Sequence, residues 1–214
     1  MSATASACEA CGVRLTDVPV PTTPIARAAY DVVSRFSAPA LVNHCVRSYL
    51  FAASRAALDG MSVDHDVLYV ASLLHDIGLE DVFDSHLLPF EEAGGSVAWV
   101  FAAGAGWPPD RCDHTAAVIV AHMRGVDSAV DPEGHLLDLA TGLDISGRDE
   151  ERWPLELRRE IVARYPRLDL AARFTACFID QAERKPQSHA AAAVENGIAA
   201  RLADNPLDRL GPPA

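Results

Sequence analysis

Three apolar stretches of this chain are each interrupted by side chains that a dry core does not accept uncompensated. His44 falls in "LVNHCVRSYLF", the adjacent pair His75-Asp76 in "LLHDIGL", and Asp144 in "LDLATGLDISG". An ionised aspartate buried in apolar surroundings is costly unless a metal, an ion pair or several hydrogen bonds meet it. Each intrusion alone has a plain explanation: a hydrogen-bonded core histidine, or an aspartate that ends a helix. All three together are answered by one arrangement, in which the stretches pack side by side around a shared divalent ion. Mixed nitrogen and oxygen ligands suit zinc or iron, and also manganese or nickel, better than calcium. The expectation is one divalent transition metal per chain, held by His44, His75, Asp76 and Asp144.

The stretches carrying these groups read as helices, and so does nearly all of the chain. Thr23-Pro24 is a helix start, because threonine can cap and proline is preorganised at the first helical position. That helix is expected to run to about Phe36. Pro39 opens the next, which ends at Asp59-Gly60. Asp64 caps a third that is expected to reach Gly78, placing His75 and Asp76 consecutively on a helix. Residues 79–90 have no period and read as a loop. "EEAGGSVAWVFAAGAG" reads as helix in spite of Gly94-Gly95, whose small size permits close packing or close approach to a ligand. "WPPDRCDHTAAVIVAHMRG" opens on prolines and closes at Gly125. Further helices are expected near 134–146, 153–165, 169–184 and 188–203. The fold class is all-α: a compact helical bundle with a single metal site. Residues 1–22 read as a partly ordered arm, 23–204 as one domain and 205–214 as a tail.

The chain of 214 residues is long enough for one sizeable core. Its formal net charge of −12 argues against nucleic acid or an anionic membrane surface as a partner. No stretch has the length and apolarity of a membrane span. No basic start followed by an apolar run marks a signal peptide. Five cysteines, an odd number at irregular spacing, argue against a disulfide framework and for a reducing, cytoplasmic setting. Cys8 and Cys11 form a lone C-x-x-C, which supplies two ligands and not the four of a structural zinc site. A homo-oligomer is compatible with this composition.

The ordered pattern H…HD…D carried by His44, His75-Asp76 and Asp144 resembles the HD-domain superfamily. A narrower resemblance is to its cyanamide-hydratase-like branch. "VPTTPIARAAYDVVSRFSAPALVNHCVRSYLFA" is similar to the opening segment of that branch, with N-H-x-x-R-x-Y-x-F at Asn43, His44, Arg47, Tyr49 and Phe51. "LLHDIGL", "PFEEAGG", "VIVAHM" and "ATGLDISG" follow in the expected order, and "YPRLDLAARFTACFIDQAERKP" resembles its C-terminal helices. The resemblance spans roughly residues 18–190. One departure is local: His122 is kept, but Met123 and Arg124 replace the small hydroxyl residues that follow it in the branch. The resemblance implies an HD-type helical bundle, a bound metal and a small-molecule substrate.

Several side chains are candidates for roles around the metal. Asp76 is both ligand and catalytic candidate. Glu91, at a loop-to-helix junction, either favours a helix N-terminus or moves protons near a metal-bound water. His122 is either a substrate-facing acid/base or a core histidine. Asn43 and Thr141 can orient ligands. Arg47, one turn after His44, either meets an anionic substrate or, the favoured reading, pairs with a carboxylate. Phe51 and Phe90, with Tyr49 and Trp99, offer walls for a tight pocket. His86 reads as loop, and His114 either as surface or as a group behind the metal ligands. Three functions are in play. A metal-dependent hydratase or hydrolase would add activated water to a small neutral substrate, cyanamide to urea or a related nitrile. A phosphohydrolase would need cations on the phosphate, and only Arg47, Arg124 and Arg148 lie near the motifs. A non-catalytic helical interaction protein leaves four ordered ligand-type residues unexplained.

Overall fold

The computed structural model describes residues 13–210. Among them lie ten α-helices and no strand: α1 Pro24–Phe36, α2 Pro39–Asp59, α3 His65–Leu74, α4 Phe90–Gly104, α5 Pro109–Arg124, α6 Pro132–Ser146, α7 Leu155–Arg164, α8 Leu170–Arg184, α9 His189–Glu195 and α10 Ile198–Ala203. The all-α expectation holds. The starts follow local chemistry. Thr23 caps α1, accepting from the Ala26 amide at 3.4 Å, with Pro24 at the first position. Asp64 caps α3 by accepting from the amides of Asp66 and Val67 at 3.0 and 3.1 Å. At the end of α2, Gly60 takes the left-handed conformation at φ 65°, which costs glycine no Cβ clash.

α2, α3, α5 and α6 pack on one another around the main apolar core, and α4 lies on α5. α2 and α3 are buried on almost every side, so they act as the internal frame on which the site is mounted. Each fully buried leucine or phenylalanine of such a core stabilises it by about 1.5–3 kcal/mol. A second apolar cluster, including Phe90, Leu170, Phe174 and Phe178, sits where α8 and α10 close over the frame.

Two boundaries differ from expectation. α3 ends at Leu74, not Gly78; His75 follows as its C-cap, and Ile77–Leu79 form a 3-10 turn. Gly78 is therefore no helix stop but a contact point. A Cβ there would lie 2.2 Å from the Phe90 carbonyl oxygen, and one on Gly94 would lie 3.2 Å from that of His75. These two glycines let α4 press directly on the segment bearing His75 and Asp76. The other difference is the helix expected over 188–203, which breaks at Gly197, φ +74°, into α9 and α10.

The ends pack as far as they are described. Leu15–Asp17 form a 3-10 turn whose Leu15 amide donates to Glu160 at 3.0 Å. Pro206–Arg209 form another, with Leu207 fully buried and the Asn205 amide nitrogen donating to the Asp144 carbonyl at 3.0 Å. Cys8 and Cys11 lie outside the described residues.

Candidate metal centre

His44 projects from α2 and is fully buried. His75 and Asp76 leave the end of α3 beside it, each only 1% exposed. The Nδ1–H of His75 donates to the Ser72 carbonyl at 2.8 Å, which turns its Nε2 lone pair inward. His44 Nε2 lies 3.1 Å from His75 Nε2 and 3.2 Å from Asp76 Oδ2, and His75 Nε2 lies 3.1 Å from the same oxygen. Ligands about 2.0–2.2 Å from one ion are spaced by roughly 2.8–3.6 Å at octahedral to tetrahedral angles. The triangle of donors has that spacing.

Asp76 supplies a second sign. Both of its carboxylate oxygens are buried, and neither takes part in a hydrogen bond. Burial alone raises its pKa, but the His75 and His44 imidazoles outweigh it and hold the carboxyl well below the usual range. A buried carboxylate without hydrogen bonds and two imidazole nitrogens facing it form a donor set that fits a divalent metal.

Asp144, expected as a fourth ligand, lies outside that group of three. It sits on the other nitrogen of His44, with Oδ2 2.6 Å from Nδ1. Arg47 grips it with two bonds, Nε to Oδ1 at 2.8 Å and Nη2 to Oδ2 at 2.7 Å. Arg167 adds a charge 3.4 Å from Oδ1 and a hydrogen bond to the Asp144 carbonyl. The cause is register on α2. Arg47 follows His44 by one turn, is fully buried, and needs a counter-charge there. Burial raises the Asp144 pKa, but Arg47, His44 and Arg167 together hold it well below the usual range. For His44, burial lowers the pKa, and Asp144 and Asp76 more than offset it. The Asp144–His44 pair has the form of a carboxylate that orients a metal-binding imidazole from behind.

The donor triangle faces a cavity of about 210 Å³, lined in part by His75, Asp76, His122, Thr141, Phe174 and Phe178. His122 lines this cavity. Its Nδ1–H donates to the Ile119 carbonyl, and its Nε2 lies 4.0 Å from Asp76 Oδ1. Burial, then the neighbouring His75, push its pKa down to about 3, so the imidazole is neutral with an accepting Nε2. Phe90 lies edge-on to the His122 ring at 5.8 Å. Thr141 lines the cavity but spends its hydroxyl proton on the Leu137 carbonyl at 2.9 Å.

Other expected residues lie elsewhere. Glu91 is fully buried but is not part of the cavity wall. Its Oε1 is 2.8 Å from His189 Nδ1, and its Oε2 has no partner. Asn43 donates to the Pro166 carbonyl at 2.8 Å. Phe51 belongs to the main core, edge-on to Trp153 at 6.0 Å. Tyr49 packs against Tyr69, and Trp99 donates to Asp113 at the surface. Neither Phe51, Tyr49 nor Trp99 reaches the cavity. Its aromatic wall comes instead from Phe174 and Phe178 of α8. The signal for them was the four-residue step Leu170–Phe174–Phe178, which marks a buried face without saying what it faces. Arg124 pairs with Glu92 at the surface. His114 lies 3.3 Å from Asp131 and 3.6 Å from Glu133, a second, half-exposed group with metal-type donors. A wider groove of about 530 Å³ between α4 and α5 is mostly apolar and lies away from the donor triangle.

No protein-family model matches the chain. Over 178 residues it is 28% identical to each of two proteins of Saccharomyces cerevisiae, the cyanamide hydratases DDI2 and DDI3. The matched region covers 80% of this chain and 79% of each relative. The similarity thus runs through most of both proteins and is not confined to one motif.

Proposed function

We propose that the chain is a metal-dependent hydratase of the HD type, with a small neutral nitrile-like substrate and cyanamide as its first candidate. The observation that carries this reading is the buried triangle of His44 Nε2, His75 Nε2 and Asp76 Oδ2 facing a cavity of about 210 Å³. The similarity to the two yeast cyanamide hydratases supports the choice of reaction.

In this reading His44, His75 and Asp76 hold the ion, and the Ser72 carbonyl and Asp144 fix the two imidazoles. A divalent metal bound there lowers the pKa of water and polarises an unsaturated carbon–nitrogen bond. Phe174 and Phe178 give the cavity an apolar wall on one side. The neutral His122 accepts a proton at Nε2 and returns it to the former nitrile nitrogen. The resemblance alone makes Glu91 a second proton carrier; it lies outside the cavity wall, against the half-exposed His189. Hydration of cyanamide to urea consumes one water and leaves no net charge, which suits a cavity with few free cations. Of its two lining arginines, Arg148 is paired with Asp138 at 3.0 Å and Arg201 donates to the Asn196 carbonyl. A phosphoryl clamp would need such groups free.

The test is metal analysis of the purified protein followed by assays on cyanamide, small nitriles and nucleoside monophosphates. We expect about one metal per chain, urea formation abolished by chelator and restored by metal, and no phosphate release. His122→Ala and Glu91→Gln should keep the metal and lose turnover, His122→Ala by about 10²–10⁴-fold. Metal-dependent phosphate release without urea formation would replace this reading with a phosphohydrolase.

A further inference from the structure

We infer that Phe174 is a partition between two hollows and thereby sets how long a substrate the site accepts. This deepens the hydratase reading and rests on it for the substrate class. The first hollow is the metal-facing cavity of about 210 Å³. The second, of about 100 Å³, lies between the start of α2, Leu79-Glu80 and α8, with Leu41, Leu170 and Cys177 in its wall. Phe174 is the one side chain that lines both.

Its position on α8 explains this double role. Leu170, Arg173 and Cys177, within one turn on either side, face the second hollow, while Phe178 faces the first. The Phe174 ring stands between them, 4% exposed, stacked on Phe178 at 4.5 Å and edge-on to His44 at 5.7 Å. A substrate carbon held near His44 and His75 therefore meets this ring if it bears a further group on that side. Removing the ring adds its own volume to the second hollow and joins it to the first. Apolar cavities of roughly 150 Å³ accept benzene, so the joined space suits an aryl or benzyl tail. The substrates admitted would be monosubstituted cyanamides, R–NH–C≡N. Water oxygen bonds to the nitrile carbon, both water protons end on the nitrile nitrogen, and R–NH–CO–NH₂ results.

The test compares wild type, Phe174→Ala and the milder Phe174→Val, all checked for helical content and metal. The Val variant carries the test if the Ala variant does not fold. Wild type should favour cyanamide over benzylcyanamide, and the variants should shift that kcat/KM ratio towards benzylcyanamide by about 10-fold or more. A second readout needs no turnover: alkylation of Cys177, followed by peptide mass spectrometry. Saturating benzylcyanamide should slow it in the variants and not in wild type. An unchanged substrate ratio in folded, metal-loaded variants overturns the inference, and so does equal protection of Cys177 in wild type and variants. If wild type forms no urea from cyanamide, the hydratase reading fails, and the alkylation comparison alone decides whether Phe174 divides the space.

Discussion

On the Nδ1 side of His44, both carboxylate oxygens and the carbonyl of Asp144 have partners: Arg47 and His44 on the side chain, Arg167 and Asn205 on the carbonyl. On the Nε2 side, neither oxygen of Asp76 takes part in a hydrogen bond. Both carboxylates are buried to about the same degree and both are held ionised, so burial does not distinguish them. Satisfaction does. A fold that completes one buried carboxylate and leaves its neighbour open has separated two tasks. Asp144 is satisfied within the protein, whereas the two Asp76 oxygens are left without a hydrogen bond, as the oxygens of a metal-binding carboxylate would be. Counting acidic residues near a histidine cannot reveal that split; asking what each oxygen touches does.

The sharpest way to break this comparison is to neutralise each carboxylate in turn and measure bound metal. Asp76→Asn should lose stoichiometric metal and all metal-dependent activity, because it takes a charged ligand out of the triangle. Asp144→Asn should retain metal with affinity weakened by about 10–100-fold, the usual cost of removing a group that orients a ligand from behind. Equal, complete loss in both variants would make Asp144 a direct ligand and end the division of labour drawn above.

Stability should rank the two the other way. In chelator-treated protein, Asp144→Asn leaves Arg47 buried without its counter-charge, while Arg167 keeps Asp208 at 2.6 Å. Breaking a buried pair in this manner costs roughly 3–5 kcal/mol. Asp76→Asn removes the charge that faces the His44 and His75 imidazoles but strands no arginine, so its cost in the metal-free protein should be smaller. Urea unfolding of the two variants beside wild type measures this directly. If Asp76→Asn is the more destabilising of the two without metal, then the contacts of Asp76 with His44 and His75 hold the fold more strongly than the Arg47–Asp144 pair does.

The frame was legible because its signals are local. Thr23-Pro24, Pro39, Asp64 and Gly60 act within a turn of themselves, and the helices begin or end beside them. The juxtaposition of His44 with His75-Asp76 was legible for a different reason: three polar intrusions into apolar helices have few common solutions. What stayed hidden was set by tertiary contact. Gly78 carries the same letter whether it stops a helix or admits the Phe90 carbonyl against its Cα, and only the position of α4 decides. Phe174 and Phe178 have the spacing of any buried helix face. Phe51, one step along the motif from Tyr49, packs into the main core because α2 turns it away from the His44–His75–Asp76 triangle. The pairing of Arg47 with a carboxylate was the favoured expectation, but which carboxylate depended on how α6 lies against α2.

A third carboxylate calibrates the comparison with a smaller effect. Asp84, in the loop before α4, meets Lys185 at 2.7 Å, Arg184 at 2.6 Å and Gln181 at 3.0 Å, pinning that loop to α8. It is satisfied like Asp144 but lies nearer solvent. Burial is the largest single influence and raises its pKa, but Lys185, Gln181 and Arg184 together outweigh it, so the folded value is depressed. A depressed carboxyl contributes stability that is present above its unfolded pKa of about 3.9 and is lost as pH falls through the lower folded value. Asp84→Asn should therefore cost about 1 kcal/mol near pH 7 in metal-free protein, less than Asp144→Asn because water screens the pairs. The gap to wild type should close as pH drops below about 4. Urea midpoints measured from pH 7 to pH 3 would show it. A gap that stays constant over that range would mean Asp84 acts through packing or neutral hydrogen bonds, and that the charge on a satisfied carboxylate matters here only when it is as deeply buried as that of Asp144.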